Sequence, residues 1–259
     1  MDLLLQDKVF LITGGSSGLG KALAAQLVEE GARGVALMAR GADRLAITSG
    51  ALREVGGDVF GFAGDVTRVE DLERFVDSSV SRWGRIDGVV NNAGALAAGA
   101  FADHDDATWE NDLALKLMAA VRLTRLALPA LRESRGAVVN TLAISGKVPD
   151  ALTTPTSVSR AAGLALTKAL SRELAPEGIR VNAVLIGVIE SGQLERYAAE
   201  AGITPQEYYE RMVSSSGIPL GRVGHPHEYA SLASFLLSER ASYISGSAIN
   251  LDGGLCPVV

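Results

Sequence analysis

No tyrosine occurs in the first 196 residues of this chain, the earliest being Tyr197. The N-terminal and central parts therefore lack the one phenolic acid, whose pKa of about 10 can be tuned into range for proton donation. Cysteine is scarcer still. Cys256 stands alone, which excludes an internal disulfide framework and a paired-thiol metal site and leaves a small, apolar residue near the C-terminus. No apolar run approaches a membrane span. The opening MDLLLQDKVF carries acid near its start and only three consecutive leucines, too few for a signal segment. A cytoplasmic protein is expected. Basic residues are scattered, without a cluster or interleaved aromatics, and the formal net charge is -6 with a pI near 5.2. A nucleic-acid or anionic-membrane surface is thereby excluded, while a small anionic ligand stays open because local charge decides it. Repeats and low-complexity stretches are also missing.

What is present is a chain of 259 residues, 47% hydrophobic, with the means to bury one large core. A single domain over residues 1–259 is expected. Short β-branched or apolar runs bounded by turn residues read as strands at Val9–Thr13, Gly34–Met38, Asp58–Phe62, Ile86–Val90, Ala137–Leu142, Ile179–Leu185 and Ser247–Leu251. Amphipathic segments lie between them. One is Thr67–Trp83, where Thr67 and Glu70 have the spacing of a capping box. Others are about Trp109–Leu131 and Ser157–Ala175, the latter stopped by Pro176 and Gly178. This alternation predicts an α/β fold with a doubly wound, seven-stranded parallel sheet covered by helices on both faces. It breaks at residues 186–219, where helical fragments near Gln193–Glu200 and Pro205–Val213 suggest a substrate loop or lid.

Gly14, Gly18 and Gly20, with Ser16, Ser17 and Leu19 among them, fall between the first strand and the first helix. There a nucleotide pyrophosphate needs a tight turn, close backbone approach and an open helix N-terminus. TGGSSGLG (Thr13–Gly20), NNAG (Asn91–Gly94) and APEGIRVNAV (Ala175–Val184) resemble the short-chain dehydrogenase/reductase family. The resemblance extends through IPLGRVGHPHEYA and SYISGSAINLDGG to essentially the whole chain. It implies a Rossmann fold holding a nicotinamide dinucleotide. After the second strand a carboxylate would grip the adenosine ribose and repel a 2'-phosphate, whereas this chain has Ala39 and Arg40, so NADP(H) is favoured over NAD(H). The resemblance further places Asp65 and Val66 beside the adenine, Asn91 near the ribose, and Ala93 and Gly94 along the pocket. Beyond the sixth strand the family's proline, glycine and threonine become Ile186, Gly187 and Ser191. Ile189 would offer its backbone to the nicotinamide carboxamide.

In the family a tyrosine moves the proton, a lysine four residues later tunes it, a serine thirteen residues earlier holds the substrate oxygen, and an asparagine on the preceding helix supports a water relay. The corresponding residues here are Thr156, Arg160, Ala143 and Lys116. A threonine hydroxyl is far too weak an acid to replace the phenol, and an arginine stays protonated. Lys116 is then the best candidate donor, its pKa lowered by desolvation and by Arg160, with the two cations attracting an anionic substrate group. Its ordinary reading is a solvated helix lysine. Ser145, Lys147 and Asp150 follow the fifth strand, where they face either substrate or solvent.

Other groupings are weaker. His104 among Asp103, Asp105 and Asp106 precedes a helix, where acids favour the dipole, and His225 and His227 flank Pro226 at another helix start, which reads as capping. No metal site is expected. Ala161, Ala165 and Ala169 form a stripe of small residues. By resemblance this helix and the one before it build a homodimer, commonly within a homotetramer; core packing explains the stripe equally well. Three functions compete: an NADP(H)-dependent oxidoreductase on a small carbonyl or alcohol with a non-standard proton donor, a nucleotide-binding or regulatory relative without turnover, and a lyase or isomerase using the same pocket. Retained cofactor residues favour the first over the third. They do not separate it from the second.

Overall fold

The computed structural model describes residues 2–259. All seven expected strands form, with ends displaced by at most two residues: β1 Val9–Thr13, β2 Gly34–Ala39, β3 Val59–Ala63, β4 Gly88–Asn91, β5 Ala137–Ala143, β6 Arg180–Ile186 and β7 Ala248–Leu251. They pair in parallel in the order β3-β2-β1-β4-β5-β6-β7. Alternation along β1 shows why both faces are dry. Phe10 and Ile12 join one core with Leu23 and Leu27 of α1 (Gly18–Glu29) and Tyr229 and Ala233 of α9 (Pro226–Leu237). Val9 and Leu11 join the other with Leu72 and Phe75 of α3 (Val69–Trp83) and Leu123 and Ala127 of α5 (Ala119–Ser134). Successive strand side chains point to opposite faces, so a strand covered on both sides reads as a continuous apolar run. This doubly wound Rossmann architecture is the expected one. Its strand order reverses between β1 and β4, and at that switch point the crevice opens beyond the strands' carboxyl ends.

Three local expectations are corrected. Thr67 does not cap α3. The helix begins at Val69 behind Arg68, and the Thr67 hydroxyl donates instead to Asp65 Oδ1 over 2.9 Å, because it sits one residue too early to reach the helix's free N–H groups. The segment expected as one helix over Trp109–Leu131 is α4 (Asp106–Leu113), a wide π turn at Ala114–Met118, and α5. The bulge falls on Lys116. Helix α6 (Thr154–Glu173) starts three residues before Ser157, since Pro155 suits a first helical turn, and it leads into a short turn that ends at Gly178, with φ +77°.

The stretch expected as a lid contains α7 (Gly192–Glu200) and α8 (Pro205–Ser216). Ser191 caps the first by accepting from the Leu194 N–H, and Thr204 with Glu207 forms a capping box on the second. Tyr209, Ile218 and Val223 make its own apolar cluster against Val188 and Leu194. A bridge between Ile189 and Gly224 fastens it to the body. The helix α2 (Ala42–Glu54) flanks the open edge of the sheet beside β3. Among the described residues no helix is long and apolar enough to cross a membrane.

Candidate active site

The glycine loop folds as its spacing demands. Gly14 and Gly18 have φ +69° and +51°, where a side chain is strained, and a Cβ on Gly20 would stand 2.4 Å from the Gly14 carbonyl oxygen. Thr13 at the end of β1 joins this loop to the next: its hydroxyl accepts from the backbone N–H groups of Asn92 and Ala93, and the Asn92 amide donates to the Thr13 carbonyl over 2.9 Å. The Ser16 carbonyl accepts from Thr48 of α2 over 3.0 Å, fixing the loop tip. Ser17 occupies the cap position of α1 with no side-chain bond, so the helix's first N–H groups and the Ser17 hydroxyl are left to a ligand. Leu19 is half-buried beneath them.

Arg40, at the end of β2, is exposed and makes no ion pair among the described residues. Asp65 spends Oδ1 on the backbone and hydroxyl of Thr67, which shapes the loop after β3, and Val66 is buried beside it. Asn91 differs from a simple ribose ligand. Its amide nitrogen donates to Asn140 Oδ1 over 2.8 Å and to Thr124 Oγ1, knitting β4 to β5 and α5, so its side-chain oxygen is what remains for a ligand. Gly187 donates to Leu251, and a Cβ there would meet Asp252 at 2.8 Å. Around Ile189 the bridge uses the Val188 carbonyl and the Glu190 N–H. The N–H and carbonyl of Ile189 itself take no part in that bridge. Ser191 keeps its proton free to donate although its oxygen caps α7. These cradles, the open helix terminus and the free Ile189 backbone fit a dinucleotide.

At the far end of the crevice the structure gathers Lys116, Thr156 and Arg160 into one buried cluster, with 5%, 5% and 9% exposure. The Lys116 ammonium donates to Thr156 Oγ1 over 2.7 Å and its side chain has no exposed surface. It is not a solvated helix lysine. Thr156 Oγ1 also accepts from the Ala97 N–H at 2.9 Å and donates to the Ala97 carbonyl at 3.3 Å. Arg160 Nη1 donates to the Thr141 carbonyl, Nη2 lies where a Cβ on Gly94 would come within 2.7 Å, and Nε is buried with no partner. Ala143, at the end of β5, contributes only a methyl group.

Lys116 and Arg160 are neighbouring cations as expected, and a residue the sequence reading missed supplies Lys116 with a counterion. Asp112, one helical turn before Lys116, forms a buried salt bridge with it and accepts from Ser159 through Oδ2 over 2.6 Å. The i, i+4 spacing of Asp112 and Lys116 was the available signal. Burial pushes the Lys116 ammonium down to about 8, with Arg160 adding to the fall and Asp112 opposing it. Burial also lowers Arg160, to about 10, so it remains a cation at neutral pH. Tyr229 is no replacement acid. Its phenol is buried against Thr141 Oγ1 at 2.5 Å, and desolvation raises its pKa. Lys147 turns away from the crevice, donating to Asn250 Oδ1 and the Ala248 carbonyl, because β7 presents acceptors there. Asp150 is exposed and Ser145 is buried. Asp105 accepts from the Thr108 N–H and caps α4, and Glu228 accepts from the His225 N–H at the start of α9, so both acidic and histidine groupings serve helix ends.

Comparison with known proteins places this geometry. A family model described as enoyl-(acyl carrier protein) reductase matches residues 14–256. The 3-oxoacyl-acyl-carrier-protein reductase FabG of Thermotoga maritima is 33% identical over 254 residues, covering 97% of this chain and 98% of that one. The crystal structure of L-sorbose reductase from Gluconobacter frateurii, complexed with NADPH and L-sorbose, superposes with a TM-score of 0.94 at 33% identity and full coverage of both chains. An NADPH-bound short chain oxidoreductase from Pseudomonas aeruginosa PAO1, described as containing an atypical catalytic center, gives 0.93 at 34% identity, covering 98% of this chain and 99% of that one. With sequence and structure matching over nearly its full length, the chain belongs to the short-chain dehydrogenase/reductase family of oxidoreductases.

Proposed function

We propose that this protein is an NADP(H)-dependent oxidoreductase that interconverts a small carbonyl and its alcohol with a proton donor other than the family's tyrosine. The observation that carries this reading is the buried Lys116 ammonium hydrogen-bonded to Thr156 Oγ1, at the positions where the family keeps asparagine and tyrosine. NADPH, held by the residue 14–20 loop, the α1 terminus, Arg40 and the Ile189 backbone, would supply the hydride. Arg160 places a permanent cation at the nicotinamide end, and Lys116, lowered to about 8, holds a proton that is acidic enough to move near neutral pH. The solved relatives with NADPH and an atypical centre support the same reading. Orientation of reactants supplies a large part of a rate enhancement, so loss of the usual acid does not by itself abolish turnover.

The test is loss of nicotinamide absorbance across a carbonyl panel with wild type and Lys116→Met. Turnover in the wild type, cut at least a hundredfold in Lys116→Met with NADPH affinity within threefold, is the expected result. A second reading, a nucleotide-binding protein without turnover, draws on the Ala97 backbone filling both sides of the Thr156 hydroxyl. NADPH binding with no reduction of any carbonyl would select it. We also propose that α5 and α6 form a homodimer or homotetramer interface, since Ala161, Ala165 and Ala169 lie exposed on α6, and light scattering decides this directly.

A further inference from the structure

We propose that Asp112 is a positioning residue that holds Lys116 against Thr156, so that the threonine hydroxyl hands the proton to substrate and Lys116 resupplies it. This rests on the carbonyl-reduction reading above. Thr156 Oγ1 receives two hydrogen bonds, from Lys116 Nζ at 2.7 Å and from the Ala97 N–H at 2.9 Å. A hydroxyl has two acceptor sites and one proton. With both acceptor sites filled, the remaining capacity of Thr156 is to give its proton away. The present taker, the Ala97 carbonyl, sits at 3.3 Å, the long end of hydrogen bonding, and a better-placed carbonyl oxygen of substrate would displace it. Two donors aimed at the oxygen also stabilise the alkoxide that forms as the proton leaves, and one of them is a cation. A threonine too weak to act alone is strengthened by this arrangement.

Asp112 makes the arrangement possible. Lys116 is faced by Asp112 from α4 and by Thr156 and the Arg160 cation from α6, with the Ala97 backbone closing the site from the loop after β4. Without the carboxylate, a buried ammonium beside Arg160 would lose its proton or leave the site. Ser159 fixes the second carboxylate oxygen over 2.6 Å, so Asp112 has little freedom to turn. In the reductive direction the substrate carbon gains the hydride and is reduced while the nicotinamide is oxidised. The substrate oxygen takes the Thr156 proton, Thr156 Oγ1 takes one from Lys116 Nζ, and neutral Lys116 regains a proton from water after product leaves. One carbonyl, one hydride and one proton give one alcohol.

The experiment combines NMR titration of the five lysines, labelled at 13Cε and assigned with Lys116→Arg, with pH profiles of kcat in wild type, Asp112→Asn, Thr156→Ser and Thr156→Val. Loss of the Asp112 charge should move the Lys116 titration at least one pH unit lower in the apo protein. Reduction requires Lys116 protonated, so activity falls as pH rises through its pKa, and that fall should move to lower pH by the same amount. Thr156→Ser should keep kcat within tenfold, whereas Thr156→Val should lose at least a hundredfold with NADPH affinity unchanged. A Lys116 titration that moves while the kcat limb stays put overturns the relay, and so does full activity in Thr156→Val; either leaves the oxidoreductase reading standing. Wild type that reduces no carbonyl overturns both. If Asp112→Asn fails to fold, the Thr156 pair decides alone.

Discussion

Arg160 Nη1 donates to the carbonyl oxygen of Thr141 over 2.7 Å, carrying a guanidinium from α6 to the end of β5 with no salt bridge among the described residues. Its Nε is buried and unpartnered. A buried charge with no direct ion pair costs stability, and replacing buried charge with apolar side chains of similar volume is often neutral or favourable. We infer that Arg160 serves a ligand. Arg160→Met should leave Tm unchanged or slightly raised while weakening NADPH binding tenfold or more, about 1.4 kcal/mol. Calorimetric titration beside thermal unfolding checks both; a variant that is destabilised but binds NADPH normally would make Arg160 a structural residue.

The fold was legible because each strand is apolar on both faces and each glycine of the first loop marks a backbone requirement, not a side-chain one. Gly20 is there because the Gly14 carbonyl leaves no space for a Cβ. The backbone geometry of the glycine loop was legible for the same reason. The reacting end was only partly so. Lys116 was singled out by the family resemblance, but its surroundings depend on the π turn over Ala114–Met118 and on Ser159 reaching across from α6, neither of which a helical repeat reveals. Asp112 carries a charge that reads as a solvated helix face until its burial is known. Thr67 failed in the opposite way. Its capping pattern was present, but the helix begins one residue later, behind Arg68, and leaves the Thr67 hydroxyl to donate to Asp65.

Arg40 should set the cofactor preference. It is exposed at the end of β2, next to a small Ala39 and without a competing carboxylate, so a 2'-phosphate meets only a free cation. A charge-assisted hydrogen bond is worth roughly 1.5–3 kcal/mol. Arg40→Ala should therefore weaken NADPH binding about ten- to hundredfold and leave NADH binding nearly unchanged. Equal wild-type affinity for the two cofactors would end the assignment.

Restoring the family residue singly should not restore the family chemistry. Thr156 is buried, with the Ala97 backbone and Lys116 within 3 Å of its hydroxyl. A tyrosine there must displace the loop after β4, and overpacking of this kind costs about 1–3 kcal/mol. It would also lack a serine at Ala143 and a lysine at Arg160. Thr156→Tyr is expected to unfold at lower denaturant concentration and to gain no strong carbonyl reductase activity, whereas Ala143→Ser, Thr156→Tyr, Arg160→Lys together is the variant with a complete set of partners. Robust reduction by the single variant would show that the three positions act independently.

Stability should carry the mark of Lys116. Burial lowers its folded pKa to about 8 from an ordinary 10.5. Below about pH 8 both folded and unfolded chains hold the proton and the cost of burying the charge is fully present. Between about 8 and 10.5 the folded protein has released that proton while the unfolded chain still binds it, so stability rises with pH across this window, in total by about 3 kcal/mol. Tyr229 acts with the opposite sign, because its raised pKa makes the folded state hold its proton longer, but only above about pH 10. Lys116→Met keeps Tyr229 and removes the ammonium. The difference in unfolding free energy between wild type and Lys116→Met, measured by urea titration at several pH values from 7 to 10, should therefore move in favour of wild type as pH rises. A difference that stays constant over that range would mean that Lys116 keeps an ordinary pKa, and with it would go the proton source we propose for the reaction.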